Sequence, residues 1–230
     1  NTSRYRFTVH GRKQPIQPLE YQDKYFFAWD KTNFLNEPGL SLVVPKGMLY
    51  DDVNLHYEVK ADSGAIALTY QLHDESTPLH AGCELRIGLL RKPVADTTKY
   101  YIASVTPKGT RYSVGGKYEN GYMRTNIHEL GTYTVDIDTI PPEIIPINKN
   151  QWVKNKKIVY RLKDKGTGVC SYRGTIDGKY ALFGRPNIVK SYWECELDPK
   201  HIKKGGKHMV EFIATDCCGN ENVSRESFIW

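Results

Sequence analysis

Apolar residues in this chain alternate with polar ones in short runs and rarely recur at helical spacing. Val53-Asn54-Leu55-His56-Tyr57-Glu58-Val59 and Lys99-Tyr100-Tyr101-Ile102-Ala103-Ser104-Val105 are two such runs. A period of two sends successive side chains to opposite faces of an extended backbone, the pattern of a half-buried strand. Further strands are expected at 40–45, 65–72, 83–90, 132–137, 144–147, 157–163, 169–175, 179–183, 188–197, 207–215 and 224–230, separated by Gly, Pro and Asp. Many short strands at this spacing, with an apolar share of 40% to fill their cores, predict an all-β protein made of antiparallel β-sandwiches.

Pro141-Pro142 sets the division within the chain. Paired prolines fix φ and remove two N–H donors, so no central strand runs through them. Gly131 to Ile137 reads as a closing strand before them and Ile144 to Ile147 as an opening strand after them. The expected organisation is therefore a first β-sandwich at 40–138 and a second at 139–230, preceded by a tail and linker at 1–39. The tail reading rests on Asn1-Thr2-Ser3-Arg4-Tyr5-Arg6-Phe7, which echoes Asn220 through Ser224-Arg225 to Phe228 and makes 1–9 the end of a preceding module in a longer, repeat-built protein. Residues 10–39, with Tyr21, Tyr25, Phe26, Phe27, Trp29 and Phe34, are expected to enter the first sandwich as a linker packed upon it.

A formal net charge of +6 is modest for 230 residues. Its two clusters, Lys154-Asn155-Lys156-Lys157 and Lys200-His201-Ile202-Lys203-Lys204, read as solvated turns. No recognition helix, phosphate loop or stacking platform accompanies them, so no nucleic-acid partner is expected. No run approaches the ~20 apolar residues of a spanning helix, and no membrane span is expected.

The chemistry-bearing residues do not assemble into a catalytic pattern. Histidines stand at 10, 56, 73, 80, 128, 201 and 208, without His-x-His or His-Glu-x-x-His. His80 and Glu84 have ligand spacing only for a helix, and Cys83 to Leu90 reads as a strand, where positions four apart lie well separated. Asp51-Asp52 sits at a turn, and no Gly-x-Ser-x-Gly elbow is present. No catalytic, metal-binding or ligand-binding residue is assigned, and no resident cofactor is expected. Cys83 is alone in the first sandwich, while Cys170, Cys195, Cys217 and Cys218 fall in the second. Neighbouring Cys217 and Cys218 would face opposite sides if extended, so at most one meets a given partner. Buried free thiols are preferred here over a disulfide.

The sharpest local phrases are turns in the second sandwich: Asp164-Lys165-Gly166-Thr167-Gly168, Asp177-Gly178, and Asp216-Cys217-Cys218-Gly219-Asn220. Asp177-Gly178 supplies the positive φ of a type I′ hairpin turn. Asp164, Gly168, Asp177, Gly178, Asp216, Gly219 and Asn220 are read as structural turn residues, their carboxylates accepting turn N–H groups in preference to binding calcium.

These phrases, Asp-x-x-Thr-Gly-Val, Ser-Tyr-x-Gly-x-Ile-Asp-Gly, Gly-x-His-x-Val and Asp-x-x-Gly-Asn, resemble the C-terminal immunoglobulin-like region of Gram-negative envelope proteins that carry a lysostaphin-type (LytM-like) zinc peptidase domain. Ser76-Thr77-Pro78-Leu79-His80, and Gly131-Thr132-Tyr133 leading to Asp138-Thr139-Ile140-Pro141-Pro142, are similar to the same region. The resemblance implies two tandem immunoglobulin-like sandwiches in a periplasmic, envelope or secreted protein, serving as a non-catalytic accessory region to a peptidoglycan endopeptidase. The implied partners are an upstream catalytic domain and peptidoglycan or another glycan. The family's zinc motifs, His-x-x-x-Asp and His-x-His, match no position, so zinc is expected only in that other domain and no catalytic residue carries over. Two other functions fit the composition. Sixteen tyrosines and four tryptophans, with Tyr192 and Trp193 on opposite faces of one strand, allow sugar stacking in a carbohydrate-binding module. Tandem sandwiches also suit a structural spacer or adhesin-like stalk.

Overall fold

The computed structural model describes residues 4, 6–8, 25–73, 77–186 and 191–230. These form several antiparallel sheets with almost no helix, and the fold is all-β. The strands feed two hydrophobic cores, one built between Phe27 and Val135 and the other between Trp152 and Phe228.

The first unit contains β1 (Tyr25–Phe27), β2 (Asn33–Glu37), β3 (Leu40–Val44), β4 (Val53–Leu55), β5 (Tyr57–Lys60), β6 (Thr69–Leu72), β7 (Pro78–Gly88), β8 (Tyr100–Val105), β9 (Arg111–Ser113), β10 (Lys117–Glu119), β11 (Tyr122–Glu129) and β12 (Gly131–Ile137). One five-stranded sheet has the order β10-β11-β7-β3-β2, a second β5-β6-β12-β8-β9, and β1 pairs with β4. Alternation decides which side chains turn inward: Leu40, Leu42 and Val44 of β3 are buried, as are Cys83, Leu85 and Ile87 of β7. Side chains from both five-stranded sheets enter the one core, each large apolar residue contributing about 1.5–3 kcal/mol by leaving water.

The second unit contains β13 (Glu143–Pro146), α1 (Trp152–Asn155), β14 (Lys157–Lys163), β15 (Val169–Ile176), β16 (Lys179–Ala181), β17 (Tyr192–Glu196), β18 (Lys207–Asp216) and β19 (Glu221–Ile229). Its sheets run β13-β14-β17 and β16-β15-β18-β19. Phe212 on β18 centres the core, with Phe183 at 4.8 Å and Tyr160 at 4.9 Å between ring centroids. Gly174 on β15 leaves room for Phe183, since a Cβ there would collide with that ring. The inward face of β18 reads His208, Val210, Phe212, Ala214, Asp216, so a core strand carries a buried polar residue at each end.

Several expectations change against this architecture. Residues 25–39 are not a linker: Phe27 and Leu35 are core residues, and β2 is an edge strand hydrogen-bonded to β3. The expected strand 53–59 divides at His56 into β4 and β5, which join different sheets. His73, at φ +61°, donates its N–H to the His56 carbonyl and fixes the break. The expected strand 65–72 is confined to Thr69–Leu72. Between 106 and 130, where no strand was expected, lie β9, β10 and β11. Arg4 and residues 6–8 are exposed and outside any strand. Tyr21, the rest of the expected 1–24 tail and linker, and positions 188–190 of the expected strand 188–197 lie outside the described residues.

Candidate functional site

The turn residues singled out from the sequence fall into two polar clusters at opposite ends of β18. At the C-terminal end of that strand the two units meet. Asp138, just past β12, is 5% exposed and engaged on every polar group. Its N–H donates to the Lys99 carbonyl at 2.8 Å. Its carboxylate accepts the Ile140 N–H at 3.1 Å and both the N–H and hydroxyl of Thr167 at 2.8 Å. Its carbonyl accepts Asn220 Nδ2–H at 2.9 Å.

The second unit shapes two loops to grip this residue. Asp164 folds the first by accepting the Gly166 N–H at 3.0 Å and the Gly168 N–H at 2.7 Å, which presents Thr167. Gly168 takes φ +83°, and a Cβ on Gly166 would collide with the Asp138 carboxylate. Asp216 folds the second by accepting the N–H groups of Cys218 and Asn220 at 2.9 and 2.8 Å and Asn220 Nδ2–H at 2.6 Å, with Gly219 at φ +74°. Beside the loops, Lys99 Nζ donates to the Cys218 carbonyl at 2.9 Å, and the Cys218 thiol lies 3.6 Å from the Lys99 carbonyl. Tyr101, Ala103 and Cys218 close a small apolar cluster across the junction. Burial pushes the Cys218 thiol up to about 11, so it stays protonated and unreactive in place.

This geometry brings oxygen atoms of Asp138, Asp164 and Asp216 within 4.8 Å of one another. Three carboxylates are the hard donors that a calcium-sized cation takes. In this junction the same carboxylates accept backbone and side-chain hydrogens, and those bonds hold the loops together.

The other cluster lies at the start of β18. Asp177 and Gly178 both adopt positive φ, +51° and +75°, at the two-residue β15–β16 turn. The Asp177 carboxylate accepts the Met209 N–H at 2.9 Å and lies 2.6 Å from His208 Nδ1, while His208 Nε2 donates to the Lys203 carbonyl at 2.8 Å. Burial alone would raise the Asp177 pKa, but the bonds from His208 and Met209, with the charges of His208 and Lys179, hold it below the ordinary carboxylate value. A groove of about 700 Å³ runs alongside, walled by Tyr180, Leu182, Glu194, Cys195 and His208. Its thiol and imidazole do not form a nucleophile and base. Both His208 nitrogens are engaged, and burial, then the charge of Glu196, pushes the Cys195 thiol up to about 11.

The cysteine expectation is corrected here. Cys170 and Cys217 form a disulfide with Cα atoms 5.0 Å apart, leaving Cys83, Cys195 and Cys218 as buried thiols. Cys170 is the extra residue of a β-bulge, since the register steps from Val169↔Asp216 to Ser171↔Thr215, and the bulge turns its side chain toward the loop of Cys217. Trp193, weighed as a sugar platform, is a core residue at 7% exposure, and Trp152 is buried at 1%. Trp29, at 51%, is exposed, and Trp230 is half-buried.

Sequence reasoning named Asp164, Gly168, Asp216, Gly219 and Asn220 as local turn residues, and the structure brings them together on a single residue of the other unit. Asp138, Thr167 and Lys99 were missed as site residues. The available signal was an Asp three positions before Pro141, at the boundary itself.

A family model described as a Zu5-like domain matches residues 24–138, from just before β1 to the junction carboxylate. No curated protein matches the chain.

Proposed function

The chain belongs to the Zu5-like domain family, whose model spans half of its length at residues 24–138, and from that premise we propose that it is a non-catalytic positioning region made of two tandem immunoglobulin-like β-sandwiches. Its domains divide at Asp138, with 25–138 as the first sandwich and 139–230 as the second. The observation that carries this reading is the junction itself. A flexible tether would leave Asp138 hydrated, whereas here its buried carboxylate is gripped by Thr167 from one loop of the following unit and its carbonyl by Asn220 from the other. Buried, fully bonded polar groups specify one geometry at the expense of alternatives. A region built this way holds whatever is attached at one end at a fixed distance and angle from whatever binds at the other.

In this proposal the attached partner is a catalytic domain of the lysostaphin-type zinc peptidase class that the turn phrases resemble, and the setting is the cell envelope. Zinc then belongs to the partner domain and not to this chain. A second reading, carbohydrate binding, is favoured by one specific observation: Trp29 and Tyr50 are 51% and 69% exposed, and the 45–52 loop that carries Tyr50 is joined to Trp29 through Asp52, which accepts the Trp29 N–H. Incubating the purified chain with peptidoglycan and zinc tests both. The expected result is co-sedimentation without release of muropeptides, reduced by Trp29→Ala if the aromatic face makes the contact. Muropeptide release would overturn the non-catalytic reading, and absence of sedimentation at millimolar glycan would remove direct wall binding.

A further inference from the structure

We propose that the Cys170–Cys217 disulfide is a redox-controlled clasp on the docking of the two units: oxidised, it locks the second unit onto Asp138, and reduced, it releases that grip while both cores stay folded. The inference rests on the reading of the chain as a docked pair. Thr167 and Asn220, the two residues that hold Asp138 from the second unit, each lie three positions from one half of the disulfide. The bond therefore ties together the two loops that close on the junction.

The loops share no other covalent link, and the sheet pairing between them is thin. Cys170 is the bulged residue and has no partner in the β15–β18 ladder, and a bulge locally interrupts pairing. Beyond it the loops are linked by the single Val169↔Asp216 pair, by Cys217 N–H to the Gly168 carbonyl at 3.2 Å, and by the Cys218 thiol against the Thr167 side chain. The sheet itself does not depend on the clasp, because β15 and β18 remain paired from Ser171↔Thr215 to Ile176↔Val210. Neither disulfide cysteine belongs to a hydrophobic core. Both Cys170 and Cys217 are exposed, whereas Cys218 is buried under the first unit. A dithiol reductant thus reaches the bond with the junction closed. One of its thiolates attacks a cysteine sulfur, the Cys170–Cys217 bond breaks through a mixed disulfide, and the second thiol displaces the protein. The reductant leaves as a disulfide, and two electrons and two protons end on Cys170 and Cys217.

The three remaining thiols supply the test, because each reports a different place: Cys83 the first core, Cys195 the second, Cys218 the junction. Alkylation by N-ethylmaleimide is followed residue by residue with mass spectrometry, in the oxidised protein and in the double variant Cys170→Ser, Cys217→Ser. The expected result is slow labelling of all three thiols in the oxidised protein, and labelling of Cys218 at least ten-fold faster in the variant with Cys83 and Cys195 unchanged. Equal protection of Cys218 in both proteins would overturn the clasp and leave the docked pair standing. A joint rise at all three would also overturn it, because the disulfide would then be holding the cores. Rapid labelling of Cys218 in the oxidised protein would sink the docked pair itself. Dithiothreitol treatment of the unsubstituted chain is expected to reproduce the variant, and reoxidation to restore protection.

Discussion

Asp138 shows how much can depend on one short side chain. Replacing it with Ala strands the half-buried N–H and hydroxyl of Thr167 and the N–H of Ile140, and an orphaned donor held from water costs about 1–3 kcal/mol. Asp138→Ala is therefore expected to lower stability by about 2–3 kcal/mol in urea titration, with Asp138→Asn losing less because it keeps an acceptor. Asp177 gives a pH-dependent counterpart. Its folded-state pKa lies below the ordinary carboxylate value, so its contribution is complete above about pH 4 and disappears as pH falls through the folded value. Asn keeps the left-handed backbone of that turn but cannot titrate. Between pH 2 and 6, Asp177→Asn should show a shallower fall of Tm with acid than the unsubstituted protein. An equal slope in both would place the acid sensitivity elsewhere.

Among the elements, β18 was readable because its inward face alternates without a break through Val210, Phe212 and Ala214. Phe212→Ala is expected to cost about 3–5 kcal/mol, read as loss of the second unit's near-ultraviolet signal at lower urea, with the first unit's transition unmoved. The missed hairpin β10–β11 was also written in the chain. Asn120-Gly121 takes φ +48° and +91°, the strongest short-range hairpin signal known for two-residue turns. The flanking strands are three and eight residues long and mix Lys, Glu and Arg with Tyr and Met, which hid them from a search for apolar runs. Space is open around a Cβ at Gly121, so Gly121→Ala should cost only the backbone term, about 1–2 kcal/mol. The disulfide was illegible for a different reason: a bulge redirects a side chain, and a period-two reading has no place for the extra residue. The 25–39 segment was misread because its large apolar residues are split between core and surface, Phe27 and Leu35 inward, Trp29 and Phe34 outward.

For the molecule as a whole, the all-β class was legible in the sequence, but not that the residues on either side of Pro141-Pro142 are fastened to each other. Such a contact joins residues 82 apart, as in Asn220 to the Asp138 carbonyl, and no local pattern encodes it. Small-angle scattering is expected to give one narrow interdomain distance distribution for the oxidised chain. Asn220→Ala and Lys99→Met should each broaden it without changing the far-ultraviolet strand signal, and unchanged scattering in both would show that the junction does not fix the pair. The way the second unit is threaded then has a mechanical consequence. Asn222 holds the Pro142 carbonyl at the start of β13, and Lys149 just beyond β13 pairs with Glu226 farther along β19, so the first and last strands lie side by side and run the same way. A pull between Asp138 and Trp230 therefore enters at one end of the unit and leaves at the other. It loads those strands along their length, where neighbouring contacts must slide together, in shear, before any one of them can be peeled away.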